Sequence, residues 1–184
     1  GWYDAPALLV EEIRQDGRWL KGPVITNHQG HWDTDAITWG REPIPGQGPE
    51  TYRETIKFLL EGAEARDGKT PSIPTNPVPA DKAPIKEVIL RGEQCNVLDF
   101  AFIKSNPADS NRYVNTASVF TEDKELGMNF GTYRCEIKGP RLMGVNPEPG
   151  QQGWKMFMKK IERGEKRCPV ALVMGNDPIG WFIS

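Results

Sequence analysis

The chain has 184 residues, with 23 Lys plus Arg against 25 Asp plus Glu, a formal net charge of −2. Its apolar runs stop at five residues, far short of the roughly 20 that span a bilayer. With 38% hydrophobic residues, no basic excess and three scattered cysteines, it is not a disordered tail, a general nucleic-acid binder or a disulfide scaffold.

The first half reads as mixed α/β. Ala7–Arg14 fits a short helix or strand, and Gly22–Thr26 a strand after a turn. Asp33–Gly40 fits a helix, with Asp33 or Thr34 as cap and Gly40 as stop. Glu50–Ala65 is a stronger helix, because Ile56, Leu59, Leu60 and Ala63 fall at helical spacing and Gly68 lies past its end. Pro71, Pro74, Pro77, Pro79 and Pro84 then make Thr70–Pro84 an extended connection, since proline removes the helical donor. A domain boundary is expected there, with an α/β domain over 1–84 and a strand-rich one over 85–184.

In the second half Ile85–Leu90 is predicted as a strand, and Val97–Ile103 is a hydrophobic segment of open form. Tyr113–Thr121 and Met128–Lys138 are predicted as two strands joined by a polar tip over 122–127, with Gly127 suited to positive φ. Arg141–Val145 follows as a third strand. Gln151–Arg163 is predicted as a helix with Trp154, Phe157, Met158 and Ile161 on one face and Gly164 as its stop. Val170–Met174 is predicted as a buried strand, and Asp177-Pro178 as the start of another helix. Antiparallel strands with an inserted helix suggest a small barrel or sandwich, hence an α+β chain. No charged-then-apolar leader precedes the first segment, so a cytoplasmic location is expected. The apolar last residues, 178–184, suggest a piece of something longer.

Four groups of residues invite chemistry. His28, His31, Asp33 and Asp35 combine imidazole and carboxylate, which suits Zn, Mn or Fe, but His-x-x-His without a set third ligand is a weak signal and reads as a polar turn before a helix. Cys95, Cys135 and Cys168 lie too far apart for a Cys-x-x-Cys pair and read as small packed residues. The Gly144–Gly153 loop precedes a helix N-terminus, where free N–H groups favour an anion, yet it has neither the Rossmann nor the Walker spacing. Asn129-Phe-Gly-Thr-Tyr-Arg134 reads as strand, with Asn129, Gly131 and Tyr133 on one face and Phe130, Thr132 and Arg134 on the other.

The last stretch, with Pro140-Arg-Leu-Met-Gly144, Gly150-Gln-Gln-Gly153 and the Pro169–Pro178 strand and turn, resembles the UbiD decarboxylase family. Ala83–Leu90 is similar to that family's opening strand of the flavin domain, and Tyr3–Leu9 to its N-terminal segment. The resemblance implies an N-terminal α/β domain followed by part of a flavin-binding split β-barrel. It implies reversible decarboxylation of aromatic or α,β-unsaturated carboxylic acids with prenylated FMN, manganese or a similar divalent ion, and potassium, in an oligomer. Carried onto this chain, Asn129 matches the metal-ligand Asn and Arg134 the catalytic Arg beside the flavin and the substrate carboxylate. Thr132 and Tyr133 would pack on or bond the flavin, and the loop with Gln151 and Gln152 would complete the cofactor site. Gln152 stands where the family has a metal-ligating His, so it would offer an amide oxygen in place of imidazole. The family's acidic ligand and its catalytic Glu pair match nothing before residue 184, so the chain alone is expected to be inactive and to need a remaining segment or subunit. The alternative is a non-catalytic subunit that binds a flavin phosphate or a partner.

Overall fold

A computed structural model describes residues 6–20, 22–69 and 76–183. The chain falls into two compact units, one of Gly1–Glu11 with Pro23–Cys95 and one of Glu12–Gly22 with Asn96–Ser184.

In the first unit β1 (Leu8–Val10) pairs antiparallel with β4 (Val24–Thr26). Two helices follow, α1 (Asp33–Thr38) and α2 (Gly48–Glu64). Gly40 and Gly68 take positive φ just beyond them and stop them as the sequence predicts. The helices join through the Trp32 and Tyr52 rings, 5.3 Å apart. The Thr51 hydroxyl accepts from the Ile44 N–H at 2.9 Å. The predicted connection lies partly outside the described residues, and 76–83 form neither helix nor strand.

The expected strand at Ile85–Leu90 is absent. Pro84–Lys86 forms a 3-10 turn, and 87–90 pair with no strand among the described residues. Ile85 is 82% exposed and Val88 73%. The apolar composition satisfies strand propensity, but a strand needs a partner for its N–H and C=O groups.

The second unit holds the hairpin β2 (Ile13–Gln15) and β3 (Arg18–Leu20). Asp16 (φ 53°) and Gly17 (φ 77°) form its two-residue turn, the Asp-Gly pattern that right-handed strand twist favours. The single helix or strand expected over Ala7–Arg14 is therefore two short strands, one in each unit.

Two three-stranded sheets carry the rest. In one, β6 (Ser118–Asp123) lies between β10 (Val170–Val173) and β7 (Gly127–Thr132). In the other, β8 (Cys135–Gly139) lies between β5 (Tyr113–Val114) and β9 (Leu142–Val145). Each long predicted strand is thus broken, at 115–117 and at 133–134, where the chain leaves one sheet for the other. Val114, Ala117, Val119, Tyr133, Cys135 and Ile137 form the core shared by both sheets. A fully buried aliphatic side chain there contributes about 1.5–3 kcal/mol. The described strands form antiparallel sheets without a closed barrel. Val170 is 48% exposed, so β10 is an edge strand and not the buried one expected.

Helix α3 (Gln152–Glu162) packs on β6 and β7. Its buried face is Gly153, Met156 and Lys160, while Ile161 is 62% exposed. The predicted face is rotated because Lys160 is drawn inward by a buried carboxylate described below. Helix α4 (Pro178–Phe182) starts on Asp177, whose side chain accepts from the Ile179 N–H at 2.9 Å.

Candidate functional site

The β6–β7 hairpin fixes the first of the predicted site residues. Phe120 and Phe130 face each other across it and stack with centroids 4.9 Å apart. Asn129 sits opposite Thr121 and is half-buried. Thr132 sits opposite Ser118 and is exposed.

After Thr132 the backbone turns the corner, and Tyr133 folds back over β7. The residue is 7% exposed. Two glycines make room for it. A Cβ on Gly131 would lie 3.2 Å from the ring, and one on Gly153 would lie 2.4 Å from the hydroxyl. The phenol oxygen accepts the Gly153 N–H at 3.1 Å, in the first turn of α3. It also accepts Nδ2 of Asn129 at 3.5 Å. One buried oxygen therefore joins the Asn129 strand to the helix start that carries Gln152.

Helix α3 has no cap from its own N-cap residue, Gln151. The Gln151 amide oxygen instead accepts the Glu148 N–H at 2.8 Å and tightens the preceding loop. Tyr133 thus satisfies from another element one of the donors every helix start leaves open. Gln152, at the first helical position, is exposed.

Arg134, the next residue, takes the other direction. Its Nη2 donates to Asp109 Oδ1 at 2.8 Å, and its guanidinium lies 3.9 Å from the centre of the Tyr113 ring. The side chain is 54% exposed. Beside it the Tyr113 hydroxyl and Ser110 Oγ lie 2.8 Å apart, and Ser110 reaches Glu136. Asn111 donates to Glu136 at 2.7 Å, and Lys138 sits 2.8 Å from it. The Asn111 bond and then Lys138 hold the Glu136 carboxyl below its usual range.

The far end of α3 holds a group that the sequence reading missed. Asp123 is 1% exposed at the end of β6. Arg163 bonds it, and Lys160 lies 3.9 Å away. Asp123 Oδ1 also accepts the N–H groups of Glu125 (3.0 Å) and Leu126 (3.3 Å), which shapes the hairpin tip. The Arg163 bond first, then these backbone donors, hold its carboxyl far below the ordinary range, and the same pair raises Arg163. Glu165 joins at 2.7 Å from Arg163 and is lowered by it. Asp123 lies in a run of charged residues that reads from sequence as a solvated tip.

Two further groups are candidates in the sequence. His31 Nδ1 accepts the Asp33 N–H at 3.2 Å, the arrangement of a polar turn at a helix start, in the first unit. Cys135 is buried, which pushes its thiol up, while Cys95 and Cys168 are half-buried. Among the described residues no group of three or more His, Cys, Asp or Glu is placed to hold a metal.

Residues 76–184 match the family model described as UbiD, 3-octaprenyl-4-hydroxybenzoate carboxy-lyase Rift-related domain. The chain belongs to the UbiD family. A phenolic acid decarboxylase of Escherichia coli O157:H7 is 31% identical over 95% of this chain and 35% of its own length. The closed form of the vanillic acid decarboxylase ShVdcCD of Sedimentibacter hydroxybenzoicus superposes with a TM-score of 0.76 at 26% identity, over 98% of this chain and 36% of that one. The evolved dimeric UbiD-class enzyme HmfF of Pelotomaculum thermopropionicum, in complex with prFMN, gives 0.67 at 26% identity over 94% and 36%. This UbiD chain thus spans about a third of the length of the relatives it matches. No described helix is long and apolar enough to cross a membrane.

Proposed function

We propose that this chain forms the N-terminal part of a UbiD-type enzyme that reversibly decarboxylates an aromatic or α,β-unsaturated carboxylic acid with prenylated FMN. The observation that carries the reading is the convergence of Asn129 and the α3 start on the Tyr133 oxygen, within a UbiD-family chain. With Nδ2 of Asn129 turned to Tyr133, Oδ1 is the atom it offers a cation. The Gln152 amide stands exposed on the neighbouring helix start.

Both are hard, neutral oxygen donors, and the described residues add no acidic cluster. They fit a manganese or similar ion that takes its negative charge from the flavin phosphate and from a carboxylate of the remaining segment or subunit. Thr132, Tyr133, Arg134, Gln151 and Gln152 line or support the cofactor site. When bound, prenylated FMN supplies the electron sink that decarboxylation needs. Arg134 supplies the fork that holds the substrate carboxylate, and its half-exposed position leaves it reachable. The proton that replaces CO2 comes from a carboxylic acid outside this chain.

The test is CO2 release from a panel of phenolic and unsaturated acids, with prenylated FMN and Mn2+ added. The complete enzyme turns over and residues 1–184 alone do not. Turnover by residues 1–184 alone would overturn the shared-site reading. The second reading, a non-catalytic flavin-phosphate-binding or partner subunit, draws on Gln152 standing where the family carries imidazole. It predicts FMN binding by the complete assembly without turnover of any acid.

A further inference from the structure

We infer that Tyr133 is a positioning residue whose hydroxyl sets the Asn129 amide and the first turn of α3 as one unit, so that it governs how tightly the metal and flavin phosphate are held without touching either. The inference rests on the function proposed above. Its basis is geometric. The ring is buried and lies close against Gly131 and Gly153. Its oxygen accepts from both elements, at 3.1 Å and 3.5 Å.

Two consequences follow for ligand binding. The bond from Asn129 Nδ2 holds the amide beside the phenol oxygen and leaves Oδ1 as the end presented to a cation. The bond from Gly153 fixes the height of the α3 start beside β7, and therefore the reach of Gln152. Groups that orient metal ligands from behind commonly change metal affinity 10–100-fold when removed.

The experiment uses the complete enzyme and Mn2+ with FMN as the probe, titrated by electron paramagnetic resonance. Tyr133→Phe keeps the ring and removes the oxygen. The expected result is a rise of about tenfold in the Mn2+ Kd together with an altered Mn2+ resonance line shape in the bound state. Asn129→Ala serves as the reference loss. An unchanged Kd in folded Tyr133→Phe, while Asn129→Ala loses metal, overturns the tether and leaves the proposed function standing. Failure of wild type to bind Mn2+ and FMN at all overturns both. Amide hydrogen exchange of wild type gives a reading that does not depend on the variant folding. The Gly153 N–H is expected to be protected, and rapid exchange there overturns the inference.

Discussion

Tyr133 and Arg134 are neighbours in the chain and opposites in surroundings. Tyr133 is enclosed by Gly131, Gly153 and the core, and its hydroxyl accepts from Gly153 and Asn129. Arg134 lies half in solvent, held by one loop carboxylate and one ring face. The difference separates two kinds of site residue. In the proposed site the enclosed one is set by the fold itself, whereas the open one would be held where a substrate carboxylate could draw it.

That contrast breaks most sharply at Arg134. Arg134→Ala in the complete enzyme is expected to lower kcat by about a hundredfold or more, while cofactor stays bound and stability shifts by no more than about 0.5 kcal/mol. Turnover assay, flavin absorbance after desalting and urea unfolding check the three parts. Gly153→Ala tests the enclosed side. The added methyl would meet the Tyr133 hydroxyl at 2.4 Å, and overpacking of this kind destabilises by about 1–3 kcal/mol. Urea unfolding should register it, with metal affinity falling alongside.

The clasp at the other end of α3 is sensitive to acid. The folded state holds the Asp123 carboxyl far below its unfolded value near 4, so its stabilisation is complete above about pH 4 and is lost as pH falls below that. Asp123→Asn removes this contribution. Thermal unfolding from pH 7 to pH 3 should show wild type losing its advantage over the variant along the acid limb. Asp109→Asn is expected to do least. It weakens a half-exposed ion pair, of a class worth about 0–1 kcal/mol, and should change kcat only a few-fold.

The motif from Asn129 to Arg134 was legible in sequence, as were α2, α3 and the hairpin tip at Gly127. The corner inside the motif was not. Side-chain alternation runs on through Met128–Lys138, and nothing local announces that Cys135 pairs with a different sheet from Thr132. Asp123 was read as solvated for a related reason, because its partner Arg163 is 40 residues away. Ile85–Leu90 misled in the other direction, since strand propensity says nothing about whether a partner strand is there. The Asp16-Gly17 turn was readable, yet the ambiguous pattern around Arg14 hid it.

The bare run at Ile85, Val88, Ile89 and Leu90 has a practical side. These side chains are 44–82% exposed, on a polypeptide whose formal charge is only −2. Colloidal repulsion is weak at that charge, and an exposed hydrophobic ribbon invites one molecule to stick to the next. Purified alone, the chain should show a rising scattering mass with concentration. Replacing Val88 and Ile89 with Lys should flatten that curve without disturbing the Tyr133 core.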